Sequence, residues 1–244
     1  MGQIENPAMI VLCLCFMTTL VFVTEKLWQA IGHRGFDPVN IVWYLVMNEM
    51  LFFSFDERIQ KRITNDIRSG NIGYSLLRPF SYLEQHVVES IGVFCARLPF
   101  LLLGSSALAF VITGALPTTF YGIIAVFILM PLSGLFTSLC MISIGLLGLY
   151  MQSTNSIFSL WQKFMFVLGG LFYPLTIYPP WLRNLSMLTP FPHGLYEISR
   201  LIYEFSWTIM LNTTVHLLGW IVVASFVSRW LYSELLKKVS INGG

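Results

Sequence analysis

Asn48 and Glu49 interrupt an apolar run, PVNIVWYLVMNEMLFFSF, that extends from Pro38 to Phe55. A carboxylate at that depth in lipid is costly, so such a residue marks by default a buried pairing site or a pathway for an ion or substrate. Glu49 therefore has two readings: a structural pairing partner or, with Asn48, a polar point on a substrate pathway. His216, inside TIMLNTTVHLLGWIVVASFV, is the next residue of this kind. A proton-coupled carrier would show more buried acids than this, which argues against that class. His33, His86, His193 and His216 are scattered over loops and span edges without H-E-x-x-H or paired-ligand spacing, so each reads as an ordinary polar residue and no metal site is expected. Cys13, Cys15, Cys95 and Cys140 fall in apolar or near-apolar stretches and read as small apolar fillers rather than a disulfide framework. There is no G-x-S-x-G elbow and no G-x-x-x-x-G-K-[ST] loop to cradle ATP phosphates. The chain is read as non-catalytic, with no cofactor of its own, and takes its energy from another subunit or from none.

What must position these residues is a membrane. The 244-residue chain is 56% hydrophobic and 11% charged, with a mean hydropathy of +0.72; a soluble domain carries about 25% charged residues. So much apolar surface exceeds what one core hides, and the excess must face lipid. The formal charge of +2 points to no nucleic-acid partner. The N-terminal apolar run has neither a basic lead nor a small-residue cleavage site, so it reads as a span and not as a secretory signal.

A spanning helix needs about 20 mostly apolar residues. Six stretches qualify: about Pro7–Ala30, Pro38–Phe55, Leu98–Leu116, Phe120 to about Met151 with a possible kink at Pro131, about Ser156–Ile177, and about Trp207–Trp230. Small residues on the fourth, Gly134, Ser138, Gly145 and Gly148, would let helices approach closely. Six crossings put both termini on one side. That side receives Arg58, Lys61, Arg62, Arg68, Arg78, Arg97, Lys163, Arg229, Lys237 and Lys238, against Lys26, Arg34, Arg183 and Arg200 opposite. The bias makes both termini cytoplasmic. No repeat or low-complexity linker divides the chain, so residues 1–244 read as one transmembrane domain.

The densest charge cluster, DERIQKRITNDIRSGNIGYSLLRPFSYLEQH, follows the second span. Ile59, Ile63 and Ile67 recur every fourth residue, which predicts a short amphipathic helix with one narrow apolar stripe. Gly70 or Asn71 can take the left-handed cap that stops it. A plain solvated loop would satisfy the charge bias but needs no isoleucine stripe. Such a helix lies on headgroups or docks into a groove on a soluble partner, and the mixing of acids with bases fits the protein groove better.

Two spans, this helix with DIRSGNIGYSLLRPFSYL, and four more spans resemble the permease subunit of a type-2 ABC transporter. The resemblance implies that residues 56–80 are a cytoplasmic coupling segment docking on the ATPase, with Ile59, Lys61, Arg62, Ile63, Asp66, Ile67, Arg68 and Arg78 carrying the contact. A second stretch, GGLFYPLTIYPPWLRNLSMLTPFPHGLYEISRLIYE, holds five of the eleven prolines. They predict a fifth span that stops and restarts, a short helix from Pro180 through Trp181, Leu182, Leu185 and Leu188, and another carrying Leu195, Ile198, Leu201, Ile202 and Phe205. This stretch resembles the paired re-entrant extracytoplasmic helices between spans five and six of the same family. The resemblance makes residues 174–206 that re-entrant segment, with Tyr173, Pro174, Pro180 and Trp181 at an outer gate. The sequence departs from the family at its start: MGQIENP has one charge and no room for the usual amphipathic elbow helix.

The expectation is thus an all-α integral membrane protein with six transmembrane helices. It would be the permease of an ATP-driven exporter in a bacterial cytoplasmic (inner) membrane. The resemblance implies as partners two P-loop ATPase subunits, which would carry the ATP and Mg, a second permease copy or related sibling, and membrane lipid. Uncharged spans and 15% aromatic residues suit an amphiphilic or hydrophobic cargo such as a drug, a lipid or a glycan carrier. The rival readings are an ATP-independent channel or secondary carrier and, last, a membrane scaffold or enzyme subunit.

Overall fold

The computed structural model of the chain describes residues 38–73, 81–116 and 119–242, with Phe22 and Lys26 before them. Apart from those two residues the first expected span lies outside the described residues, as do Arg78 and the LLRPF phrase. Among those residues the secondary structure is all helical.

Helix α1, Pro38–Ser54, is apolar all round and almost wholly buried, as a helix without a polar face must be. After a short turn comes α2, Ile59–Ser69, stopped by Gly70 in the left-handed conformation at φ 74°. Helix α3 runs from Tyr82 to Thr113 through Pro99. The expected third span and its amphipathic lead-in are therefore one helix. At 32 residues it is about 48 Å long, well beyond an apolar slab of about 30 Å, so its first turns reach past the slab toward α2. Helix α4, Phe120–Leu146, continues as a 3-10 turn over Leu147–Leu149. Helix α5 is Asn155–Val167; a 3-10 turn at Leu175–Ile177 leads to α6, Pro180–Met187, α7, Phe191–Gly194, and α8, Tyr196–Arg200. Helix α9, Trp207–Asn242, is one 36-residue element, a dozen residues longer than the expected sixth span. Helices α3, α4 with its 3-10 turn, and α9 are long and apolar enough to cross a membrane. Phe100, Leu103, Phe127, Ile128, Val222 and Phe226 stand exposed on them, a surface that water does not suit.

The chain passes back and forth between two ends. Trp43 near the start of α1 donates from Nε1 to the Ala115 carbonyl past the end of α3, at 3.1 Å. Arg97 on α3 donates to the Phe55 carbonyl below α1, at 2.6 Å, so the two helices run antiparallel. The main core lies between α1, α3, α4 and the short helices, and a second core joins α2 to the start of α3, the end of α4 and the last turns of α9. Three of the expected small residues on α4 set its contacts. A Cβ on Gly134 would stand 3.1 Å from the Phe94 ring, one on Gly145 2.8 Å from Ile63 Cβ, and one on Gly148 2.9 Å from Thr64 Cγ2. Ser138 shares a 2.7 Å hydroxyl contact with Ser90 of α3.

The fifth expected span is interrupted. Its helix ends at Val167 instead of continuing to Ile177. Gly170 adopts φ 68°, a left-handed turn that glycine enters without a Cβ clash. Thirteen residues give about 20 Å, short of a crossing. The backbone freed beyond the break needs partners in an apolar setting. Tyr44 donates its hydroxyl to the Gly170 carbonyl. Asn48 Nδ2 donates to the same carbonyl at 3.1 Å and to that of Leu171 at 3.5 Å.

Candidate functional site

Helix α2 has two faces with different destinations. Ile59 and Ile63 are fully buried; Ile63 and Gln60 sit over Gly145 of α4, and Thr64 over Gly148 in the 3-10 turn, where only glycine leaves room. Ile59 and Ile63, expected to carry the partner contact, bind the helix to its own chain, and Ile67 is only partly buried beside them. Polar side chains continue the seam. Thr154, ahead of α5, donates to Gln60 Oε1 at 2.6 Å. The Thr64 hydroxyl lies 2.8 Å from the Gln60 carbonyl, 3.2 Å from the Gly145 carbonyl and 2.9 Å from Thr154 Oγ1.

Several of the cluster's charges are taken up internally. Arg62 pairs with Asp56 and reaches Glu89 of α3 at 3.3 Å, while Asp56 Oδ1 also accepts from the Arg58 amide at 3.2 Å. Tyr82 donates its hydroxyl to Asp66 at 3.1 Å. Gln162 of α5 donates to Glu57 at 3.4 Å, and burial pushes the Glu57 carboxyl above its ordinary value despite that bond. The pairs fix α2 against α3 and α5, so Arg62 and Asp66 are anchoring residues in this geometry.

What remains for a partner is narrower than the sequence implies. Lys61, Thr64, Asn65 and Arg68 from α2 and Gln152, Ser153, Thr154 and Asn155 from the α4–α5 connection line an open polar hollow of about 110 Å³. Lys61, Asn65 and Arg68 are exposed, and neither cation has an ion-pair partner among the described residues. The contribution of residues 152–155 went unseen in the sequence, because nothing local announces that Thr154 returns to α2.

The other expected positions do not gather into one site. Asn48 is committed to protein: besides its two carbonyl contacts it accepts from the Ser199 hydroxyl at 2.7 Å. Glu49 is buried, and its Oε2 has no hydrogen-bond partner among the described residues. Of the expected gate residues, Tyr173 packs against the main core and Pro174 is buried, whereas Pro180 and Trp181 are exposed beyond the 3-10 turn. Helix α6 does start with Pro180 in its first turn, as its sequence implies. Leu195, Ile198, Leu201 and Ile202 are fully buried but divide between α8 and the residues flanking it.

Two histidines read as unrelated come together. His193 Nδ1 lies 2.8 Å from Glu197 Oε2, and the His193 ring stacks on that of His216 with centroids 4.6 Å apart. The i,i+4 spacing of His193 and Glu197 was a visible signal; the approach of His216 from α9 was not.

Residues 8–243 match the family model described as ABC-2 family transporter protein. No curated protein matches the chain. With nearly its whole length covered by that family model, the chain belongs to the ABC-2 transporter family, as a multi-pass membrane permease subunit.

Proposed function

We propose that this permease exports an amphiphilic or hydrophobic substrate by alternating access, driven by a separate P-loop ATPase that docks on the hollow beside α2. The observation that carries this reading is the division of α2. Its apolar face is locked onto α4, and its outward face keeps two cations, Lys61 and Arg68, without ion pairs among the described residues. A helix built only to cover the end of the bundle has no need of that second face. The partner groove would present acidic and polar groups, since charge complementarity sets register and encounter rate more than bulk affinity.

In this reading α2 lies on the cytoplasmic side, the chain crosses six times with the fifth crossing broken at Gly170, and two permeases with two ATPases form the transporter. Closure of the ATPase pair would press on α2. Because α2 rests on Gly145 and Gly148 and is tied through Thr154 to the start of α5, the push would reach α4 and α5 together as a rigid-body shift. The break at Gly170 gives α5 a place to hinge. Small residues at α4 contacts permit such sliding.

The test is capture. The full chain in detergent, made in its host, should bring down a P-loop ATPase. Lys61→Glu combined with Arg68→Glu should abolish capture while leaving Tm unchanged. Capture that survives both reversals would place the motor elsewhere. A folded chain that captures no ATPase would leave a channel or secondary carrier as the better reading.

A further inference from the structure

His193, Glu197 and His216 each offer one ligand atom, and the three atoms lie within 4.8 Å of one another. The short-helix segment supplies the first two and α9 the third. His193 is buried, and Glu197 is largely so, with the Thr213 hydroxyl of α9 also on its carboxylate. A His–Glu hydrogen bond alone accounts for two of these residues and leaves the third unexplained. His216 stands exposed on a face of α9 whose neighbours Leu211, Val215 and Leu218 are exposed and apolar. An imidazole on such a face is unfavourable unless it does something, and its ring is turned to stack on His193.

We propose that His193, Glu197 and His216 form a binding site for one divalent transition-metal ion, such as Zn²⁺, that pins the α7–α8 segment to α9. Two imidazoles and a carboxylate are the donor set such ions accept, and three protein donors leave a position open for water or a further ligand. Ligands at about 2.0–2.2 Å from one ion stand about 3 to 3.5 Å apart. The His193–Glu197 pair at 2.8 Å is already near that spacing, and rotation of the exposed His216 ring closes the rest. The site shares no residue with the hollow beside α2, so it does not depend on where an ATPase docks.

The test uses the full-length chain without a histidine tag, stripped with chelator and placed in lipid nanodiscs. Co²⁺ is titrated by its visible absorption, followed by displacement with Zn²⁺. The expected result is one ion per chain and a metal-dependent rise in Tm. Both should weaken at least ~10-fold in His216→Ala and Glu197→Gln and persist in His86→Ala, which removes the other His–Glu pair, His86 with Glu89. His216 is exposed, so its alanine variant should remain folded without metal, which a Tm scan in chelator checks. No Co²⁺ uptake by the wild-type chain, or uptake unchanged in those two variants, overturns the proposal and leaves a hydrogen-bonded pair with a stacked ring.

Discussion

Both ends of this molecule rest on α4 through glycine, yet they are held in opposite ways. At one end α2 is a single stiff helix: Gln60, Ile63 and Thr64 fill the space over Gly145 and Gly148, its ion pairs are on its flanks, and its last face is open. At the other, α6 to α8 are short pieces held by hydrogen bonds to backbone carbonyls. Ser133 donates to the Gly194 carbonyl at 2.7 Å, Thr119 to that of Ile202 at 2.9 Å, and Tyr44 and Asn48 hold the carbonyl of Gly170. Side-chain packing lets a helix be pushed as one body. Carbonyl clamps fix an irregular chain in place and release it locally when one is lost. The difference fits one end that receives force and another that opens.

That contrast can be broken in order of severity. Ile63→Asp would place an unpaired carboxylate in the fully buried seat of α2 and should cost about 3–5 kcal/mol, seen as loss of folded protein in a thermal scan. Gly122→Val attacks the opposite end, where a Cβ would stand 2.0 Å from the Leu201 carbonyl oxygen; overpacking of this kind should cost about 3 kcal/mol. Asn48→Ala leaves the Ser199 hydroxyl without its acceptor and the Gly170 carbonyl short of a donor, at about 1–3 kcal/mol. It should lower transport while ATPase capture persists, since the clamp lies away from α2. The smallest effect belongs to Glu57→Gln. Because burial raises the Glu57 carboxyl, the folded state is penalised once that group ionises, so wild-type stability falls as pH rises above the ordinary carboxylate range. Glu57→Gln should therefore raise Tm near neutral pH by less than either large loss above, and the gain should shrink toward acid pH.

Much of this was legible in the sequence. The every-fourth isoleucines gave α2 to within a residue or two, Gly70 its stop, and Pro180 the start of α6. The destination of the isoleucine stripe was not legible: an amphipathic helix has the same pattern whether its apolar face meets a partner or its own neighbour. Only Gly145 and Gly148, some eighty residues away, decide it. The fifth span was over-read because hydropathy stays high through GGLFYP. The decisive facts were the conformation of Gly170 and the two α1 side chains that accept the break, and no window of local sequence contains both. The histidines were read as separate because His193 and His216 are brought together only by the turn into α9.

The central claim is that the outward face of α2, and not its stripe or the opposite end, meets the motor. Photo-crosslinking in membranes of cells carrying the whole transporter tests it most directly, with a benzophenone amino acid placed singly at Lys61, Arg68, Trp181 or Leu188, all four of which are exposed. Adducts with a P-loop ATPase should form from Lys61 and Arg68 and from neither position at the other end. An intact complex that gives no adduct from α2, or gives one from Trp181, would contradict the account.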